Sequence, residues 1–64
     1  METTEQPLLL SVNETAHLIG QGTSKTWELV ASGRIFSVRE GKRRLVPRES
    51  IEKYVAELIA EQAA

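Results

Sequence analysis

The sequence predicts a mainly α-helical domain that carries one small β-hairpin. Three observations point there. Two short amphipathic stretches, 12–19 and 23–32, are separated by Gly20-Gln21-Gly22. Between 35 and 46, apolar and cationic residues flank a turn at Glu40-Gly41-Lys42. After Pro47, apolar residues recur at full helical spacing. A length of 64 residues leaves room for one domain, and 41% apolar with 27% charged residues is a globular composition. The expected domain spans 8–61, with a disordered tail over 1–7 and a frayed end over 62–64.

Each element has a local reason. Ser11-Val12-Asn13-Glu14 is a capping box, in which the Ser11 hydroxyl accepts from the Glu14 amide and the Glu14 carboxylate accepts from the Ser11 amide. The helix it starts runs to about Ile19, with Val12, Ala16 and Ile19 on its apolar stripe and Leu18 widening it. Gly20 fits a left-handed stop. Gly22 or Thr23 caps a second helix, from about Thr23 to Ser32, with Thr26, Leu29 and Val30 inward. Gly33 suits its end. Ile35 to Val46 reads as the hairpin, with a positive φ at Gly41. A two-residue turn puts Phe36, Val38, Arg43 and Leu45 on one side, and Ser37, Arg39 and Arg44 on the other. Pro47 ends the strand and suits the start of a third helix. That helix carries Ile51, Tyr54, Val55, Leu58 and Ile59 inward, and Glu52, Lys53, Glu57 and Glu61 outward.

Composition excludes several function classes. Without cysteine there is no disulfide framework, zinc knuckle or thiol nucleophile. His17 alone cannot build a metal site and reads as a surface residue, so no metal or other cofactor is expected. No carboxylate pair, nucleophile–base pair or phosphate-cradling loop suggests an enzyme. The longest apolar run is Leu8-Leu9-Leu10, so no membrane partner is expected. The polar start does not suit a signal peptide, and a cytoplasmic setting fits.

Charge is balanced in total and uneven along the chain. The net charge is −1, yet the fifteen residues from Arg34 to Arg48 hold Arg34, Arg39, Lys42, Arg43, Arg44 and Arg48 against Glu40 alone. That segment carries +5 and the remainder −6. Such a local field survives a neutral total because salt screens over roughly 8–10 Å.

Two short helices joined by a tight glycine-containing turn make a helix-turn-helix, and a basic hairpin after the second helix makes it winged. A helix is about 10–12 Å across and the major groove of B-DNA about 12 Å wide. Thr23, Ser24 and Lys25 at the front of the second helix let it approach bases and phosphate closely. Arg39, Lys42, Arg43 and Arg44 near the ribbon tip suit a neighbouring backbone or minor groove. Trp27 either packs on the DNA backbone or covers the small core. Glu28 either accepts from a cytosine amino group or points away from the phosphates. Arg34 and Arg48 suit phosphate contacts or ion pairs with a nearby Glu, and Tyr54 suits the core with its hydroxyl at the rim.

The chain resembles the excisionase-type and MerR-type winged helix-turn-helix DNA-binding domains over about Leu9 to Leu58. The matching stretches are Leu10-Ser-Val-Asn-Glu-Thr-Ala-His-Leu-Ile-Gly20, Thr23-Ser-Lys-Thr-Trp-Glu-Leu-Val30, Ser32-Gly-Arg-Ile35, Arg39-Glu-Gly-Lys-Arg-Arg44 and Val46-Pro-Arg-Glu-Ser-Ile51. Departures are Gly22 where a Ser is frequent, Trp27 where Tyr is usual, Glu28 at a basic or polar position, and Leu45 in place of an arginine late in the wing. The resemblance implies a small sequence-specific binder of double-stranded DNA. Its implied role is an excisionase, bacterial or phage-encoded and nucleoid-associated, that binds repeated sites cooperatively and bends DNA to direct an integrase toward excision. The DNA-contacting residues are then expected to be Thr23, Ser24, Lys25, Trp27, Glu28, Arg34, Arg39, Lys42, Arg43 and Arg44. MerR-type activators carry a dimerising helix and an effector domain after this module, and the sequence after Ile59 is too short for either, so no small-molecule effector is expected. A small transcription regulator built on the same domain is the alternative role. A protein-interaction adaptor without a DNA partner is the reading of another class.

Overall fold

A computed structural model describes residues 7–63, in the order β1 (Leu9–Ser11), α1 (Val12–Ile19), α2 (Thr23–Ala31), β2 (Val38–Glu40), β3 (Arg43–Pro47) and α3 (Arg48–Ala63). Of the tail expected over 1–7, residues 1–6 lie outside the described residues, as does the final Ala64, whereas Pro7 is described and its carbonyl accepts from Arg48. Gln62 and Ala63, expected to fray, continue α3.

Both α1 and α2 begin and end as their residues dictate. Ser11 and Glu14 exchange the two bonds of the capping box at 3.0 and 2.9 Å, and Gly20 stops α1 at φ 72°. Gly22 is the N-cap of α2 and makes no side-chain cap bond. Ser32 is the C-cap of α2 rather than its last residue, and Gly33 follows at φ 85°. The inward face of α1 differs from the expected stripe. Leu18 is 55% exposed, and Thr15 is fully buried in its stead. The Thr15 hydroxyl donates to the Ser11 carbonyl at 2.9 Å, and Thr26, also fully buried, donates to the Gly22 carbonyl at 2.9 Å. A threonine whose hydroxyl is satisfied by its own preceding turn presents only its methyl to the core.

The hairpin is part of a three-stranded antiparallel sheet of order β1-β3-β2. Leu9, Leu10 and Ser11 pair with Pro47, Val46 and Leu45. The Arg48 amide extends this ladder to the Leu8 carbonyl at 2.8 Å. Strand pairing on the other side starts at Val38, three residues later than expected. Ile35 is instead a core plug, 1% exposed, its amide bonded to the Leu29 carbonyl at 3.1 Å. Phe36, expected on the apolar face of the ribbon, lies outside the strand and is 64% exposed.

Leu10, Val12, Val30, Ile35, Val46, Ile51 and Tyr54 form one core cluster, with Ile19, Leu29 and Leu58 packed at its margin. Every helix and the strands β1 and β3 contribute to this one core, and β2 does not. The expected α3 stripe is only partly inside: Ile51 and Tyr54 are buried and Leu58 is half-buried against the core, while Val55 and Ile59 are exposed. The second half of α3 is tied down by polar contacts. Arg34 reaches Glu61 at 2.9 Å and Glu57 at 4.0 Å, and its guanidinium lies 5.2 Å from the Tyr54 ring centre. Gln21, in the turn between α1 and α2, donates to the Tyr54 hydroxyl at 3.2 Å. Tyr54 is thus a core residue with its hydroxyl at the rim, as its sequence position implies.

Candidate nucleic-acid interface

The outward face of α2 follows from what the inward face buries. Thr26 and Val30 point into the protein, and residues two positions away stand on the opposite side of a helix. Ser24 and Glu28 therefore occupy the centre of the exposed face, one turn apart. Lys25 and Trp27 flank them, and Thr23 stands at the front, all exposed. Trp27 is 46% exposed and outside the core cluster, which decides against its core reading. With Gly22 as the cap, no side chain covers the first amides of α2, and they remain open to an anion.

The wing has a definite charge pattern. Gly41 at φ 62° and Lys42 form its two-residue turn. Arg39 stands directly opposite Arg44, and Glu40 opposite Arg43. Opposite charges in facing positions attract, whereas two arginines in that register repel. The expected sides are kept: Arg44 donates to the Ser37 hydroxyl at 3.3 Å, and Val38 faces Leu45. Leu45 is buried, which explains why no arginine stands there. Arg39, Lys42, Arg43 and Arg44 are all exposed.

Helix α1 packs against both α2 and β3 and so supports α2 and the wing together. His17 is exposed on it, as expected of a surface residue. Two cations belong to the scaffold. Arg34, grouped by sequence with the DNA contacts, is committed to Glu57, Glu61 and Tyr54 on α3. Arg48 bonds the Pro7 carbonyl at 3.1 Å through its Nε. The structure adds Gln21, which fixes the turn to α3 and which a reading of local sequence treats only as a turn residue. Among the described residues, no group of three or more His, Cys, Asp or Glu side chains is placed to hold a metal ion. No helix among them is long and apolar enough to cross a membrane.

The model of a helix-turn-helix domain family matches residues 9–58. A protein described as "Probable excisionase" from Saccharopolyspora erythraea is 53% identical over 57 residues. That match covers 89% of this chain and 58% of the relative, so the chain spans little more than half the relative's length.

Proposed function

The chain belongs to the helix-turn-helix domain family, and from that premise we propose that it is an excisionase-type protein that binds double-stranded DNA. In this reading α2 enters the major groove with Thr23, Ser24, Lys25, Trp27 and Glu28, and the wing lies on the adjacent backbone with Arg39, Lys42, Arg43 and Arg44. The observation that carries it is the facing pair Arg39 and Arg44. Like charges in direct opposition cost stability unless an anion lies between them, and a phosphate supplies that anion. The description of the 53% identical relative supports the excisive role over transcription control. The role itself is regulatory and not enzymatic: the protein binds repeated sites side by side, bends the DNA and helps an integrase assemble for excision. It acts where that DNA lies, in the cytoplasm and on the nucleoid.

Cooperation between neighbours has support in the remaining charges. Glu57 and Glu61 are engaged by Arg34, whereas Glu49 and Glu52 are exposed beside Leu8, Leu9 and Pro47. A neighbour's wing arginines are complementary to those two carboxylates.

Titration with duplex DNA at several salt concentrations tests the reading. Contact with about four phosphates gives a log–log slope near −3.6. Binding that is absent, or indifferent to salt, would favour the adaptor reading. Footprinting on DNA next to an integrase gene would then count the copies and their spacing.

A further inference from the structure

We infer that Glu28 is the residue that sets base preference, by accepting a hydrogen bond from the exocyclic amino group of one cytosine in the major groove. The inference rests on the DNA-binding reading above and adds the base it selects. Three observations lead to it. Glu28 shares the centre of the exposed face of α2 with Ser24, directly opposite the buried Thr26 and Val30. Among the described residues its carboxylate has neither an ion-pair nor a hydrogen-bond partner, so nothing internal accounts for it. Every other charge expected at this surface except Glu40 is positive, and Glu40 already faces Arg43.

A helix that lies in the groove turns its central outward residues to the base edges and its flanking residues to the phosphates. On the flank an uncovered carboxylate meets phosphate and repels it; at the centre it meets base edges. A carboxylate only accepts. Guanine offers it two acceptors, N7 and O6, and thymine offers the acceptor O4 together with a methyl group. Adenine offers its N6 amino group, with the acceptor N7 beside it. Cytosine alone presents the N4 amino group without an acceptor on the same edge. The carboxylate therefore selects cytosine and rejects the other three bases. Lys25 and Trp27, on either flank, hold the backbone around that contact. Ser24 lies one turn nearer the front, and its short hydroxyl leaves room for the base that Glu28 reads.

The test is selection of bound duplexes from a randomised library, with the full chain and its Glu28→Gln and Glu28→Ala variants. Wild-type selection should return one position with cytosine favoured about tenfold over the other bases. Glu28→Gln should move that position to adenine, because an amide pairs with N6 and N7 together. Glu28→Ala should flatten that position and leave the rest of the consensus and the salt slope in place. The side chain is exposed, so unchanged melting temperatures should show that both variants fold. One consensus shared by all three proteins would overturn the inference. So would a uniform gain in affinity for Glu28→Ala with an unchanged consensus, since Glu28 would then merely repel phosphate. A wild-type protein that retains no duplex at low salt would overturn the DNA-binding reading itself, a different and separable result.

Discussion

The exposed face of α2 and the wing, the two regions assigned to DNA in the proposed reading, are built on opposite principles. The face of α2 holds one cation and one anion, Lys25 and Glu28, among short or aromatic side chains. The wing holds four cations and one anion in six residues, and two of its cations oppose each other. Helix α2 is anchored by Thr26, Leu29 and Val30, whereas the outer wing strand has no residue in the core cluster. A rigid, nearly neutral face suits discrimination between base edges. A projecting cationic ribbon suits attraction to phosphate from any sequence. In the proposed reading the wing supplies affinity and salt dependence, and α2 supplies preference.

The largest expected effect comes from removing the opposed pair. Arg39→Ala with Arg44→Ala should weaken binding to every duplex by about tenfold or more. The melting temperature should hold or rise slightly, because a like-charge repulsion goes with the side chains. A drop in affinity confined to one sequence would reverse the roles assigned to the two regions. Next comes Gly41→Val, which forces a β-branched residue to φ 62° at a cost of about 1–2 kcal/mol. The strain is confined to the wing tip, so affinity measured by gel shift should fall while the selected consensus stays. Arg34→Ala should cost roughly 0.5–1 kcal/mol in thermal unfolding, since its ion pairs are partly exposed. DNA affinity should be nearly unaffected, because Arg34 serves α3. A tenfold loss of affinity would return Arg34 to the DNA-contacting set. The smallest effect is expected at Gly22→Ser. The position has φ −67° and open space for a Cβ, so a cap should add a few tenths of a kcal/mol to stability. If the uncapped amides hold a phosphate, the same change lowers affinity slightly.

The parts of this molecule legible in its sequence are those fixed by local chemistry. The capping box at Ser11 and Glu14, the stop at Gly20 and the turn at Gly41 each depend on residues within a few positions, and the structure has them all. The sides of the wing follow from its two-residue turn, so the opposition of Arg39 and Arg44 was implied by parity alone. What escaped depends on distant partners. Strand β1 is three residues long, too short to show alternation, and exists because Val46 lies beside Leu10. The commitment of Arg34 is made by Glu61, 27 residues away. Leu18, expected to widen the stripe of α1, is exposed, and Thr15 is inside because a back-bonded hydroxyl makes threonine a core residue, a gain invisible to hydrophobic pattern. Ile35 and Phe36 exchange places because the chain between α2 and β2 is not a strand, so period two does not apply there.

The division of labour between wing and helix is tested most directly by the salt dependence of DNA affinity, measured side by side for wild type and for the Arg39→Ala, Arg44→Ala double variant. Each phosphate no longer neutralised removes about 0.9 from the log–log slope, and the opposed pair shares one, so the double variant should fall from near −3.6 to about −2.7. An unchanged slope would mean that the opposed arginines touch no phosphate, and the wing would lose the role given to it here.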